Sequence, residues 1–384
     1  MNEWKDVSIG DLCETVSNTY RRNDKEVILV NTSDVLEGKI LNHQPVPNEN
    51  LKGQFKKTFQ QDDILYSEIR PANKRYAFVD FESTDHYIAS TKLMVLRPKT
   101  ENVTPRYLYA VLTSKEVIDE MQHLAETRSG TFPQITFSSE LAPYHIKLPN
   151  LEIQKKIVSL LDAIEHKIET NAEINENLQQ QAATLFKALF VDLAPFDGTM
   201  PPNWTISTLG DVTEMSAGGD KPKESSPIKT PLYRYPIYSN GINDYGLYGY
   251  TNEPKIKVES VTVSARGTIG YVCLRHIPYV PIVRLVTLIP DTSVLSAKYL
   301  YLYLRQLSIT GTGTTQQQLT VPDFRKTEII IPDKNTMDSF TETVTPLFEQ
   351  IRANEDENIE LAELRDALLP KLMSGEIDVS DVQL

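Results

Sequence analysis

The sequence predicts an α+β chain. Two similar mixed units of strands and short helices are separated by two long helices that pair as an antiparallel coiled coil, pseudo-twofold overall. Three observations predict this. First, the chain repeats itself. Trp4 stands six residues before Gly10-Asp11 in WKDVSIGDL, and Trp204 six before Gly210-Asp211 in WTISTLGDV. RYLYAVL (106–112) is answered by KYLYLYL (298–304), and HIKLP (145–149) by EIIIP (328–332). Second, short apolar or alternating runs bounded by turn residues fill each half, as strands do. Third, each half closes in apolar residues spaced alternately by four and three, the pattern of a coiled-coil seam.

Taken in order, the first unit spans residues 1–150. ILYSEI (64–69), YAFVDF (76–81) and KLMVLRP (92–98) read as strands. Pro105 to about Met121 has helical spacing, with Pro105 suited to a first turn. The central helix occupies 151–190. The stretch 191–203 (VDLAPFDGTMPPN), with three prolines and a glycine, reads as a linker. The second unit spans 204–332. SVTVSA (260–265), GYVCLR (270–275) and RLVTLIP (284–290) read as its strands, and Ala297 to about Leu307 as its helix. The closing helix and tail occupy 333–384.

In the central helix the seam is Ile157, Leu161, Ile164, Ile168, Asn171, Asn175, Leu178, Ala182, Leu185 and Leu189. In the second it is Val344, Leu347, Ile351, Asn354, Asn358, Leu361, Arg365, Leu368 and Leu372. Each seam carries two asparagines four residues apart. They sit either on a solvated flank or inside the pair, where buried polar side chains fix register at a cost in stability. In the second case Asn171 and Asn175 lie near Asn354 and Asn358, and changing all four to Leu stabilises the pair but loosens its alignment.

Composition narrows the function. The 384 residues carry a net charge of −13, which argues against a protein that coats nucleic acid unaided. The charge is uneven: residues 333–384 hold 13 acidic side chains against 4 basic ones, and the two mixed units are near neutral. Glu355, Glu357, Glu360 and Glu363 are expected to point outward from the last helix, into solvent or toward a basic partner. Two lone cysteines, Cys13 and Cys273, make neither a disulfide framework nor a zinc site, which suits a reducing cytoplasm. No apolar run is long enough for a membrane span, and the opening MNEWKDVS lacks the pattern of a secretory leader. There is no GxxxxGK[ST] and no HExxH, and the six histidines have no ligand spacing, so no metal or catalytic site is expected.

The runs LPNLEIQKKIVSLLDAIEHKI (148–168) and LRDALLPKLMSGEI (364–377) resemble the conserved regions of type I restriction–modification specificity subunits. YPIYSNGINDYGLYGY, VTVSARGTIGYV and GTTQQQLTVPDF are similar to the target-recognition domains of that family. The resemblance covers the whole chain in the family's order: recognition domain, helix, recognition domain, helix. It implies a non-catalytic, sequence-specific binder of double-stranded DNA, each domain reading one half of a bipartite asymmetric target. It further implies that the helices set the spacing and dock two methyltransferase subunits. Restriction–translocation subunits would join through that complex. S-adenosylmethionine would sit on the methyltransferases, leaving this chain without a cofactor. The first domain departs from the pattern in lacking the SNG and SxRGTIG wording.

Candidate DNA contacts follow from residue chemistry and that resemblance. In SARGTIG, Ser264, Arg266 and Thr268 lie on a small-residue turn, and Arg can fork onto guanine O6 and N7. The tyrosine-rich loop from Tyr233 to Tyr250 offers Arg234, Tyr238, Ser239 and Asn240. Thr314, Gln316 and Gln317 lie in a polar loop whose glutamines suit adenine N6 and N7. In the first unit Arg70, Lys74 and Arg75 occupy the place equivalent to SARGTIG, and Arg128, Thr131 and Gln134 that of the Thr/Gln loop. Arg21 and Arg22 are weaker candidates. Plain turns and solvated surface are the competing readings. At the level of function the competitors are an enzyme, which the missing motifs oppose, and an adaptor that pairs two partners without reading DNA.

Overall fold

The computed structural model describes residues 4–49, 51, 53–311, 318–380 and 382. The chain divides into two compact units, Met1–Thr170 with Glu357–Leu384, and Asn171–Asp356. Each unit therefore holds part of both long helices.

In the first unit an antiparallel sheet runs in the order Cys13–Val16, Leu93–Pro98, Ile64–Ser67, Tyr76–Phe78. A second sheet runs Pro45–Pro47, Glu26–Val30, Tyr87–Ser90, Phe55–Lys57 around one parallel pair. A ribbon of Lys5–Ser8 against His145–Leu148 closes the unit. The second unit has an antiparallel sheet in the order Thr213–Ala217, Val286–Pro290, Ser260–Val263, Val272–Arg275. Its second sheet runs Ser225–Ser226, Leu247–Thr251, Tyr235–Tyr238, Val280–Pro281, again with one parallel pair. Its ribbon is Thr205–Thr208 against Glu328–Ile331. The first sheet and the ribbon match strand for strand, so the sequence repeat is a repeat of topology. Ile64–Ser67 is buried along its whole length, which is why ILY reads as a run and not as an alternation; Ser260–Val263 is equally buried although SVTV alternates.

The repeated Trp-to-Gly-Asp wording proves to be architectural. After each ribbon strand the chain makes one helical turn, Ile9–Leu12 or Leu209–Val212. The Asp fastens that turn: Asp11 accepts from the Ser8 hydroxyl (2.7 Å) and Asp211 from that of Thr208 (2.6 Å). Glycine suits the position because the turn packs closely on another loop. A Cβ on Gly10 would stand 3.2 Å from the Ala142 Cβ, and one on Gly210 3.1 Å from Arg325.

The single helix expected from Pro105 to Met121 is two, Pro105–Leu112 and Lys115–Arg128. Ser114 explains the break, since its hydroxyl accepts the Val117 N–H (3.3 Å) and caps a new helix. The stretch 191–203 contains the short turn Ala194–Phe196 and stacks Phe196 edge-on to Trp204 at 5.2 Å.

The long helices are Leu151–Phe186, ending in a wide turn at Lys187–Val191, and Lys334–Ser374. Ile157, Leu161, Ile164, Ala182, Val344, Ile351 and Leu372 are buried as the seam requires. The seam does not hold to the end of the central helix. Leu185 is exposed, and Phe186 and Phe190 are buried in its place. An ideal helix drifts about 20° per heptad against a 3.5 repeat, and the larger rings take the core position.

The asparagines divide between the units. In the second unit Asn171, Asn175 and Asn354 are buried. Asn354 Nδ2 donates to Asn175 Oδ1 (2.8 Å), and Asn175 Nδ2 to the Ile351 carbonyl (3.2 Å). In the first unit Asn358 Nδ2 donates to the Ile168 carbonyl (3.3 Å). In the second unit, Phe186 against Phe340 (6.0 Å) and Asn175 against Asn354 show the two helices running antiparallel. Replacing Asn354 alone by Leu strands a buried amide and is expected to cost about 1–3 kcal/mol. Replacing Asn175 and Asn354 together removes both partners and is expected to raise the melting temperature above wild type. Calorimetry of the three proteins checks the order.

Candidate nucleic-acid interface

The strand Ser260–Val263 of the second unit leads into the turn 264–270. Ser264 is buried, and its hydroxyl donates to the Asn240 carbonyl (3.0 Å). Asn240 Oδ1 accepts the Ala265 N–H (2.7 Å), joining the tyrosine-rich loop to this turn. The Leu319 N–H donates to the Ala265 carbonyl (3.1 Å). Arg266 reaches Gln318 Oε1 through Nε (3.2 Å) and Nη2 (2.9 Å). Three segments far apart in sequence thus converge beside one strand end.

The first unit builds the same junction. The Ser67 hydroxyl donates to the carbonyl two residues on (3.3 Å), as that of Ser264 does (3.2 Å). The Ile135 N–H donates to the Glu68 carbonyl (2.8 Å), the counterpart of Leu319 to Ala265. Arg70 takes a left-handed conformation (φ +46°) where the second unit has Gly267 (φ +69°). This register makes Gln134 the counterpart of Gln318. The signal in the sequence is QITF answered by QLTV, with Thr136 and Thr320 both capping the turn that follows.

The candidate residues separate into two groups. Arg266, Thr268, Arg234, Arg70, Lys74, Arg128 and Thr131 are exposed. The Arg70 guanidinium has no partner among the described residues. Lys74 pairs with Glu37 (3.0 Å), Arg128 with Glu140 (3.2 Å) and Arg22 with Asp85 (2.7 Å). Arg234 lies 5.0 Å over the Tyr235 ring. Ser239 and Gln134 are partly exposed, and Gln134 bridges to Ile69.

The other group faces inward, which corrects the expectation that its side chains point at a ligand. Arg75 donates to the Ser33 (3.0 Å) and Val35 (3.3 Å) carbonyls. Ser264 and Asn240 tie loops together, and Tyr238 lies under the Arg275 guanidinium at 3.6 Å. Thr314, Gln316 and Gln317 lie outside the described residues.

Sequence reasoning missed Arg275, and it reached Gln318 only as one of the glutamines of the polar loop. Arg275 is buried and donates to Thr262 Oγ1 (2.9 Å) and to the Tyr245 carbonyl (2.7 Å). It holds the tyrosine-rich loop against the sheet, and nothing in GYVCLR marks it as more than a strand residue. The QITF/QLTV repeat is what singles Gln318 out among those glutamines.

Below this loop is a cavity of about 390 Å³ whose lining includes Tyr238, Tyr245, Arg275, Tyr301, Arg305 and Glu355. Glu355 is therefore not the outward side chain its helical position suggests. Burial raises its carboxyl pKa, and a hydrogen bond from Tyr245 offsets this only in part. A carboxyl raised in the folded state contributes most at low pH, and that contribution is lost as pH rises through the raised value. Glu355→Gln is accordingly expected to melt above wild type at pH 8. The gap should close on acidification into the ordinary carboxyl range, as followed by thermal melts across pH.

Burial also pushes the Cys13 thiol up to about 12, so it stays protonated and inert. Among the described residues no three His, Cys, Asp or Glu side chains gather to hold a metal, and no helix is long and apolar enough to cross a membrane.

Residues 1–180 and 201–363 match the type I restriction modification DNA specificity domain. The HindI specificity subunit of Haemophilus influenzae is 31% identical over 462 residues, covering 98% of this chain and 100% of that one. The MjaIX specificity subunit of Methanocaldococcus jannaschii is 28% identical over 320 residues, 73% of this chain and 71% of its own. The crystal structure of the type I restriction-modification system S subunit from M. genitalium aligns with a TM-score of 0.57 at 16% identity, over 99% of this chain and 97% of that one, a likeness of fold. With both repeats matched and a full-length relative at this identity, the chain belongs to the type I restriction-modification DNA specificity family.

Proposed function

We propose that this chain reads a bipartite, asymmetric DNA target, one half through each unit, and performs no chemistry itself. Methyltransferase subunits carrying S-adenosylmethionine dock on the helices, restriction–translocation subunits join that complex, and the chain works in the cytoplasm.

One observation carries the reading. Equivalent hydrogen bonds build the same loop junction twice, yet each junction exposes different side chains: Arg70 and Lys74 in one, Arg266 and Thr268 in the other. A shared frame with different outward groups suits two different half-sites. The inward group (Arg75, Tyr238, Asn240 and Ser264) positions the loops, and the exposed group meets DNA. With a net charge of −13, much of the nonspecific attraction to phosphate must come from partner subunits.

The test is to map methylated bases in a host expressing this chain with and without its methyltransferase partners. A two-part motif is expected only when both are present. A motif with one part, or none, overturns the reading. The absence of any sequence preference in an intact complex would favour an adaptor.

A further inference from the structure

We infer that Arg284 is a second DNA-reading arginine of the second unit, held in register with Arg266 by the side-chain amide of Asn240. The inference rests on the DNA-reading function proposed above and adds a residue that neither repeat nor motif marks.

Val283 (φ +52°) and Arg284 (φ +65°) are consecutive left-handed residues, and neither is glycine. For a branched side chain such as Val this is an outlier. Strain of this kind persists only where its surroundings over-determine it, and it gathers at functional positions. Here they do. The Val283 N–H donates to the Gly219 carbonyl (2.9 Å) and the Arg284 N–H to that of Gly218 (3.1 Å). On either side, the Ile282 N–H meets the Tyr238 carbonyl (2.9 Å) and the Leu285 N–H that of Ile282 (3.1 Å). The fifth bond comes from Asn240, whose Nδ2 donates to the Val283 carbonyl (2.5 Å).

The same amide accepts the Ala265 N–H through Oδ1 (2.7 Å). One planar group thus spans the turn before Arg284 and the turn before Arg266, fixing their separation. Both arginines are exposed, and the Arg284 guanidinium has no partner among the described residues. A rigidly presented fork suits the paired acceptors of guanine, where a lysine would act as a point charge. Pairing register gives the counterpart in the first unit: Ser67 lies opposite Leu93, and Val263 opposite Val286. With Ser67 equivalent to Ser264, Lys92 stands where Arg284 does, and it pairs with Glu68 (3.3 Å). The extra arginine therefore belongs to one half-site only.

The experiment measures binding of the chain, in complex with its methyltransferase partners, to a duplex library randomised over the target at fixed salt. If the wild-type complex shows no preference, the DNA-reading function itself fails. Given a wild-type preference, Arg284→Ala is expected to lose at least about tenfold discrimination at one base position. That position lies in the half-site relaxed by Arg266→Ala but is a different base, and the other half-site is unaffected. Arg284→Lys should restore affinity without restoring discrimination. Asn240→Asp keeps the acceptor for Ala265 and removes the donor to Val283. It is expected to relax the Arg284 position and spare the Arg266 position. Full discrimination in Arg284→Ala overturns the assignment. So does uniform weakening on all sequences with a salt slope lower by about one, which marks a phosphate contact. Equal relaxation of both positions in Asn240→Asp overturns the role of the amide.

Discussion

Replacing Phe186 with alanine is expected to destabilise the second unit by about 3–5 kcal/mol. The ring is 1% exposed and lies among Phe190 (5.2 Å), Tyr299 (5.3 Å), Phe340 (6.0 Å) and Tyr303 (6.3 Å). These neighbours come from the central helix, the helix Ala297–Gln306 and the C-terminal helix. Three elements meet at one side chain, so the cavity left by truncation cannot close by moving any one of them. Edge-on aromatic pairs add about 0.5–1.5 kcal/mol each beyond the area buried. Denaturant unfolding measures the loss, and Leu185→Ala is the control, because Leu185 is exposed and should change little. A loss below about 1 kcal/mol for Phe186→Ala would mean that the site collapses freely and that the docking of the helix rests elsewhere.

Arg266→Ala is expected to cost about 1–3 kcal/mol of binding and to relax sequence preference in one half-site alone. The neighbouring Gln318 sharpens the expectation. The guanidinium donates to Gln318 Oε1 through two nitrogens, so removing Arg266 also removes that contact. Gln318→Ala leaves the Arg in place and separates the two contributions. Discrimination measured on the same randomised duplexes should fall further in Arg266→Ala than in Gln318→Ala. A variant lacking Arg266 that keeps full preference in both half-sites would exclude it from the reading surface.

The duplicated fold was legible because it is written in spacing. Trp, Gly and Asp recur at fixed distances since each repeat fastens the same helical turn with an Asp and packs it closely on a loop at Gly10 and Gly210. The helix seams were legible where aliphatic residues keep step, and lost where Phe186 and Phe190 replace Leu185 and Leu189. The proposed reading surface was legible in part. Arg266 and Arg70 stand on turns that the sequence marks. Arg284 was read as the first residue of a strand, because a left-handed backbone at a non-glycine residue leaves no trace in composition. The inward roles of Arg75, Asn240 and Ser264 were equally hidden, since residue type does not say whether a polar group faces a ligand or its own chain.

The first unit is discontinuous: its core includes Leu372 and Val379, more than 190 positions beyond the other part of the unit, which closes at Thr170. Gly375 (φ +76°) turns the chain there so tightly against Trp4 that a Cβ would stand 2.8 Å from the indole. During synthesis the second unit, an unbroken segment, is complete while the earlier-made one still waits for its last pieces. A chain that stops near residue 360 therefore keeps every residue of the second unit and lacks the closing pieces of the first, so damage at the far end of the gene falls on the unit encoded at its start.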